Sequence, residues 1–157
     1  MIKRIFDFTI SFISLLILFP ILFLVSLIIK FTSLGPVFYK QVRVGRGNKD
    51  FKIFKFRTMH IDADKMGLLT IGGRDPRVSY VGYYLRKYKL DELPQLINVF
   101  KGDMSFVGPR PEVRQYVNLY SETQKKVLDV KPGITDLASI EFKDENEILS
   151  EQEDPNQ

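Results

Sequence analysis

The chain has 157 residues, of which 45% are hydrophobic and 27% are charged, and its formal net charge is +4. It contains no cysteine and a single histidine, His60, which excludes disulfides, thiolate metal sites, cysteine nucleophiles and clusters of histidine ligands. Any bound metal would therefore need oxygen ligands, which favours magnesium, calcium or manganese.

The first predicted element is an apolar segment. No charged residue occurs between Phe8 and Ile29, and a helix of that length would be about 33 Å long, enough to cross a bilayer. A cleaved signal peptide is disfavoured, because the run is longer than usual for such peptides and no small-residue cleavage site follows it. Pro20 lies in the middle, where it is expected to break or kink a helix. Cations flank both ends, which favours a segment that enters and leaves the same leaflet, whereas a spanning helix with a proline remains the alternative.

After residue 35 the chain is predicted to form a small, mostly helical α+β domain with a short β-hairpin. Alternating apolar and polar residues predict strands at Val37–Val44 and Phe51–Arg57, joined by a turn at Gly45–Asn48. The other predicted elements are a short helix start at Ile61–Met66, a loop at Gly72–Pro76, a helix at Val81–Tyr88 and a helix at Leu93–Phe100 that ends at Gly102.

The charge is unevenly distributed. Residues 40–57 carry seven cations against one acidic residue, Asp50, whereas residues 141–154 are mostly acidic. A basic stretch that follows an apolar segment is expected to lie against anionic lipid headgroups, and it would also attract phosphorylated substrates or nucleic acid. The acidic end is expected to be a solvated face or tail.

Asp91 and Glu92 form an acidic pair at the predicted start of a helix. Acidic residues there commonly bind free amides and oppose the helix dipole, so a structural role is one interpretation. The alternative is catalytic. A carboxylate held by amide donors stays ionised, as a nucleophile must, and a neighbouring carboxylate can hold a hard divalent cation that also binds phosphate oxygens.

Several cations near predicted turns are candidates for phosphate binding, because a guanidinium binds phosphate oxygens in a bidentate fork. Arg110 is favoured, since a proline on each side fixes its backbone. The remaining candidates are Arg57, Arg86 and Lys55.

Taken in order, the motifs of the chain closely resemble those of the bacterial sugar transferase family, the small monotopic polyprenyl-phosphate phosphoglycosyl transferases. The resemblance extends from about Lys3 to the end of the chain. The segments that carry it are Lys3-Arg4 with Asp7, the apolar run with Pro20, Gly35-Pro36-Val37-Phe38, Arg43-Val44-Gly45, Lys55-Phe56-Arg57-Thr58-Met59, Asp75-Pro76-Arg77, Leu90-Asp91-Glu92-Leu93-Pro94-Gln95, Asn98-Val99, Gly102-Asp103-Met104-Ser105, Val107-Gly108-Pro109-Arg110-Pro111 and Lys131-Pro132-Gly133-Ile134-Thr135.

The resemblance implies an architecture. Residues 1–35 would form a re-entrant membrane helix broken at Pro20, and residues 36–157 a catalytic domain on the cytoplasmic side of the bacterial inner membrane. The partners implied are the lipid bilayer, a UDP-sugar and polyprenyl (undecaprenyl) phosphate. Downstream glycosyltransferases are further possible partners, and no nucleic acid is expected.

The resemblance also implies a mechanism. Asp91 would attack the β-phosphorus of the UDP-sugar and release UMP, and the phosphosugar carried by the enzyme would then pass to the polyprenyl phosphate. Glu92, together with Asp91, would bind Mg²⁺, and Arg110 would lie close to the phosphates.

Three features depart from the family pattern. Phe19 stands where many members have a serine before the membrane proline, and Tyr80 stands where a basic residue is common. Relatives usually continue well beyond the Lys131-Pro132-Gly133 motif, whereas this chain ends at Gln157, so the carboxy-terminal part is expected to be truncated relative to the family.

Two other functions remain open. An inactive membrane anchor or scaffold would bind bilayers through its first thirty residues without turning over any nucleotide-sugar. A basic nucleic-acid-binding module would show affinity that falls steeply with salt, and the acidic tail argues against it.

Overall fold

The computed structural model describes residues 2–61, 63 and 75–136. Within these residues the chain forms a long amino-terminal helix, a β-hairpin, several short helices and a second small sheet. This mixture confirms the predicted α+β class. Most of the predicted helix start at Ile61–Met66 and of the predicted loop at Gly72–Pro76 lies outside the described residues.

Helix α1 spans Ile2–Thr32 and contains Pro20 without ending there. A proline inside a helix removes one backbone hydrogen bond, and apolar helices tolerate that loss where neighbouring groups compensate. The break predicted at Pro20 is therefore not shown, and a re-entrant path remains a prediction. The helix is long and apolar enough to cross a membrane, and most of its large apolar side chains are exposed.

The predicted β-hairpin is confirmed. Strands β1 (Phe38–Val44) and β2 (Asp50–Phe56) pair antiparallel, with Phe38 opposite Phe56 and Val44 opposite Asp50. The connection between them has positive φ at Gly47 (68°) and Asn48 (61°), the two residue types that adopt this conformation most readily.

Both longer helices of the domain also lie close to their predicted positions. Helix α2 spans Tyr80–Lys87 and helix α3 spans Gln95–Lys101, with a short 3₁₀ turn at Leu90–Glu92 between them. Helix α3 ends at Gly102, whose φ of 94° suits a glycine at a helix end.

The sequence did not predict the second sheet. Strands β3 (Ser105–Val107) and β4 (Gly133–Thr135) are only three residues long and pair parallel. The two strands approach closely at a pair of glycines: a Cβ on Gly133 would lie 2.2 Å from the Gly108 nitrogen, and a Cβ on Gly108 would lie 2.4 Å from the Lys131 carbonyl oxygen. Helices α4 (Arg114–Val117) and α5 (Glu122–Lys125) lie in the connection.

Strand β2 is the centre of the packing. One apolar cluster joins it to α1 and α2 through Ile29, Phe56 and Leu85. A second joins it to α3 and the approach to β3 through Ile53, Val99 and Met104. Strand β2 therefore packs against α1 and α2 through one cluster and against α3 and the approach to β3 through the other.

The outer edge of β2 is covered by one side chain of α3. The amide of Asn98, fully buried, accepts a hydrogen bond from the Phe54 N–H (2.9 Å) and donates one to the Lys52 carbonyl (2.8 Å). A strand edge would otherwise expose unpaired backbone groups. Asn98 thus fixes the position of α3, and of the turn that precedes it, relative to the hairpin.

Candidate active site

Asp91 and Glu92 lie on the 3₁₀ turn between α2 and α3. Lys89, immediately before the turn, has a left-handed backbone (φ 55°), and the Leu93 N–H donates to the Leu90 carbonyl. The residue that caps α3 is Pro94, which makes no side-chain capping bond. The acidic pair therefore stands before α3, and capping of that helix does not explain the two adjacent carboxylates.

Glu92 is held by two cations. The Lys55 Nζ lies 2.7 Å from Glu92 Oε1, and Arg110 Nη2 lies 3.8 Å from the same oxygen. Burial alone would raise the pKa of Glu92, but Lys55 and Arg110 hold it below the ordinary value. Glu92 is therefore ionised at neutral pH.

Asp91 has the opposite character. Burial, and next the negative charge of Glu92, raise its pKa above the ordinary value, while Lys55 and Arg86 partly oppose that rise. A carboxylate with a raised pKa is a stronger base and nucleophile once it is ionised, but it loses its charge at a higher pH than a typical aspartate.

Arg86 occupies the Asp91 side of the site. Its Nε donates to Thr58 Oγ1 at 3.0 Å, and burial lowers its pKa while Asp91 partly offsets the effect. Helix α2 can approach Thr58 this closely because residue 82 is glycine: a Cβ there would lie 1.9 Å from the Thr58 carbonyl oxygen. Gly82 therefore allows α2 to pack against Thr58, and this packing positions Arg86 close to Asp91.

Arg110 lies on the loop between β3 and α4, and its side chain is 55% exposed. The loop is anchored to β4, because Gly108 donates to the Thr135 carbonyl (3.1 Å) and Gly133 donates to the Pro109 carbonyl (3.0 Å). An exposed guanidinium on a fixed backbone, close to Glu92, is well placed to bind an anion that enters the site.

Arg43 is a site residue that the sequence did not single out for phosphate binding. Its Nη1 donates to the Pro111 carbonyl (3.2 Å) and lies 3.7 Å from the Glu112 carboxylate. Burial lowers its pKa, the Glu112 charge opposes that change, and the charge of Arg110 adds to it. As one of seven cations in residues 40–57, Arg43 had no local feature that distinguished it.

Arg57 lies elsewhere. Its Nη2 donates to the Ser33 carbonyl (3.0 Å) and to the Ser33 hydroxyl, just beyond the end of α1, and burial lowers its pKa. Of the four predicted phosphate-binding residues, the structure brings Lys55 and Arg110 to Glu92 and Arg86 to the vicinity of Asp91. It does not bring Arg57 to the pair.

A small, open recess lies against Glu92. Its lining contains three cations, Arg43, Lys55 and Arg110, and one carboxylate. This excess of positive charge favours a ligand with at least two negative charges, such as a diphosphate.

The described residues contain no group of three or more histidine, cysteine, aspartate and glutamate side chains that could hold a metal. Asp91 and Glu92 offer two hard oxygen donors. This donor set fits Mg²⁺, which usually binds one or two carboxylates and completes its shell with substrate phosphates and water.

Comparison with known proteins identifies relatives of this chain. The bacterial sugar transferase family profile matches residues 1–154. A provisionally named undecaprenyl-phosphate N-acetylgalactosaminyl 1-phosphate transferase of Bacillus subtilis (strain 168) is 48% identical over 111 residues, which are 71% of this chain and 62% of that protein.

Two further relatives align over less of their own length. The UDP-N-acetylgalactosamine-undecaprenyl-phosphate N-acetylgalactosaminephosphotransferase of Aeromonas hydrophila is 40% identical over 88% of this chain and 34% of that protein. The UDP-glucose:undecaprenyl-phosphate glucose-1-phosphate transferase of Escherichia coli (strain K12) is 38% identical over 98% of this chain and 34% of that protein. The chain thus spans between one third and two thirds of the length of these relatives, and it belongs to the bacterial sugar transferase family.

Proposed function

We propose that the protein transfers a sugar-1-phosphate from a UDP-sugar to polyprenyl (undecaprenyl) phosphate and releases UMP, as the membrane step that begins a bacterial glycoconjugate. The observation that carries the proposal is the acidic pair Asp91–Glu92 beside a recess lined by Arg43, Lys55 and Arg110. The names of the relatives describe the same class of reaction.

In the first step an ionised Asp91 oxygen bonds to the β-phosphorus of the donor. The bond between that phosphorus and the bridging oxygen breaks, and UMP leaves with the bridging oxygen. The product is an aspartyl-phosphosugar. Arg110 and Lys55 bind the negative oxygens of the donor and so oppose the repulsion that Asp91 and Glu92 would otherwise exert on it.

In the second step an oxygen of the polyprenyl phosphate attacks the same phosphorus. The bond to Asp91 breaks, the carboxylate is restored, and a polyprenyl-diphosphate-sugar is formed. Two displacements with a covalent intermediate replace one direct reaction between two anions, which allows the donor and acceptor to use the site in turn. The first displacement depends on Asp91 being ionised, and the second returns it to the ionised state.

Magnesium is the proposed cofactor, held by Glu92 and Asp91. When bound, it would neutralise charge on the phosphate oxygens of the donor. Lys55 and Arg110 keep Glu92 ionised, which is the state that an oxygen ligand of a divalent cation requires.

The proposed membrane path is re-entrant, with the catalytic domain on the cytoplasmic side of the inner membrane. Two contacts at opposite ends of α1 support it. Arg4 donates to carbonyls of α3, and Ser33 accepts from Arg57. A straight helix of 31 residues would be about 46 Å long, so a helix that crossed the bilayer would separate its ends by more than the thickness of the bilayer. Contacts at both ends with the same domain favour both ends on one side.

The test is a panel of UDP-sugars assayed for UMP release. Purified chain in nanodiscs, with MgCl₂ and undecaprenyl phosphate, should release UMP from at least one donor. Asp91→Asn should abolish release, whereas Asp129→Asn, at an exposed aspartate, should leave it unchanged.

Two outcomes would contradict parts of the proposal. If no donor yields UMP while the chain still binds bilayers, the inactive scaffold is the better interpretation. If turnover occurs but donor alone never labels Asp91, the covalent route has to be abandoned and a direct transfer takes its place.

A further inference from the structure

The start of α1 carries a buried carboxylate that the proposed chemistry does not use. Asp7 is 3% exposed, and its Oδ1 accepts hydrogen bonds from the Ser105 hydroxyl (3.1 Å) and the Phe106 N–H (3.3 Å). Both donors belong to β3. An aspartate in the helix that enters the membrane is thus docked on the strand that leads to Arg110.

One turn earlier, Arg4 binds the helix that follows the acidic pair. Its Nη1 donates to the Val99 carbonyl and its Nη2 to the Phe100 carbonyl, each at 2.7 Å. These carbonyls are among the last of α3, where a helix has unpaired acceptors and its dipole favours a cation. Gly102 leaves the space: a Cβ there would lie 3.0 Å from the guanidinium.

These contacts reach both sides of the active site. Strand β3 ends at Val107, three residues before Arg110, and α3 begins at Gln95, three residues after Glu92. Arg4 and Asp7 therefore hold, from one face of one helix, the two elements that bring Arg110 to within 3.8 Å of Glu92.

Anchoring alone does not explain these residues. A carboxylate in an apolar helix weakens membrane insertion and costs free energy when it is buried without partners. An apolar residue at position 7 would anchor the chain better. The carboxylate is useful only through the hydrogen bonds that it makes to β3.

We propose that Arg4 and Asp7 are positioning residues of the transferase site, so that the membrane segment sets the geometry between the acidic pair and Arg110 in addition to anchoring the chain. The kinetic part of this inference rests on the proposed function. Its structural part does not.

The kinetic test compares Asp7→Leu with Asp7→Asn and with Phe6→Leu. Phe6 is 58% exposed and serves as the matched control on the outer face of the same turn. Asp7→Leu should lower kcat/KM at least about tenfold, which corresponds to about 1.4 kcal/mol, with an unchanged membrane-bound fraction. Asp7→Asn should stay within about threefold of wild type, because its amide oxygen accepts the same two hydrogen bonds. Phe6→Leu should not change turnover.

A double-mutant cycle separates positioning from general destabilisation. If Asp7 acts through Arg110, the effect of Asp7→Leu should nearly vanish in the Arg110→Ala background. If the two effects simply multiply, Asp7 does not position Arg110 and the inference is wrong.

Hydrogen–deuterium exchange provides a readout that does not need activity. In the full chain in nanodiscs, Asp7→Leu should speed exchange of the amides at 105–108 and leave the β1–β2 hairpin unchanged. Unchanged exchange at 105–108 would overturn the inference even if the wild type released UMP. If Asp7→Leu accelerates this exchange but the wild type releases no UMP, the structural role of Asp7 is supported and the proposed function is wrong. Should Asp7→Leu fail to fold, Ser105→Ala removes one of the same hydrogen bonds from the other side and is read in the same way.

Discussion

Replacing Lys55 with methionine is expected to shift the acid limb of the kcat/KM profile to higher pH. The positive charge of Lys55 favours the ionised forms of both Glu92 and Asp91. Without it, both carboxyls hold their protons to a higher pH. Because the proposed nucleophile must be ionised, activity is then lost earlier as the pH falls.

The size of the shift follows from the contact. Lys55 and Glu92 form a charge-assisted hydrogen bond of 2.7 Å, and both side chains are about one-fifth exposed. Such a bond contributes about 1.5–3 kcal/mol to the ionised pair, so its loss raises the pKa of Glu92. Asp91 loses the direct effect of the Lys55 charge, which lowers its pKa in the wild type, so the acid limb is expected to move to higher pH and kcat/KM at the acid end to fall roughly tenfold relative to wild type.

The assay is UMP release from the best UDP-sugar, measured as kcat/KM between pH 5 and 9 at fixed magnesium. The ratio of wild type to Lys55→Met should be largest at the acid end and should shrink as the pH rises above both pKa values. Lys55→Arg, which keeps the charge, should retain the position of the limb.

An alternative role for Lys55 predicts a different profile. If Lys55 only binds the phosphates of the donor, Lys55→Met will raise KM by a similar factor at every pH, and the acid limb will stay where it is. That result would refute the electrostatic coupling described here between the strand β2 cation and the acidic pair.

Three more substitutions test other contacts. Asn98→Leu should lower the free energy of unfolding by about 2–4 kcal/mol, because it leaves the Phe54 N–H and the Lys52 carbonyl unpaired. Thermal unfolding measures this loss, and the control Asn118→Leu, at an exposed position, should change the stability little. Gly82→Ala should cost about 1–3 kcal/mol of stability and reduce turnover, because the new Cβ pushes α2 away from Thr58. The control is Gly47→Ala, whose Cβ meets nothing within 4 Å. It should cost about 1 kcal/mol through its positive φ and leave turnover intact. Arg43→Gln should raise the KM for the UDP-sugar roughly tenfold with a smaller effect on kcat, because the loop that carries Arg110 loses its contacts at Pro111 and Glu112. Equal decreases in kcat and kcat/KM would instead indicate damage to the chemical step.

The elements that could be predicted from the sequence are those fixed by local signals. The β1–β2 hairpin has alternating residues and a glycine-containing turn, and α2 and α3 have helical periodicity with a glycine at the end of α3. The β3–β4 pair has neither. Its strands are three residues long, and their pairing depends on a close approach of Gly108 and Gly133 across a long connection.

The acidic pair and Arg110 could be selected from their residue types and positions, and the family motifs supplied their roles; in the structure Arg110 lies 3.8 Å from Glu92. Arg57 was a candidate because it lies near a predicted turn. Strand β2 ends at Phe56, and the Arg57 side chain binds Ser33 just beyond α1, away from the acidic pair. Arg43 belongs to a family motif but was not selected for phosphate binding; its contacts at Pro111 and Glu112 place it on the loop that carries Arg110.

The hydrogen bond between Asp7 and Ser105 also sets an order of events during biosynthesis. The two residues are 98 positions apart, so at about 5–20 residues per second the acceptor leaves the ribosome roughly 5–20 seconds before its donor. During that interval only water or lipid headgroups can solvate the carboxylate. The turn of α1 that carries Asp7 can therefore take its buried position only after β3 has been synthesised.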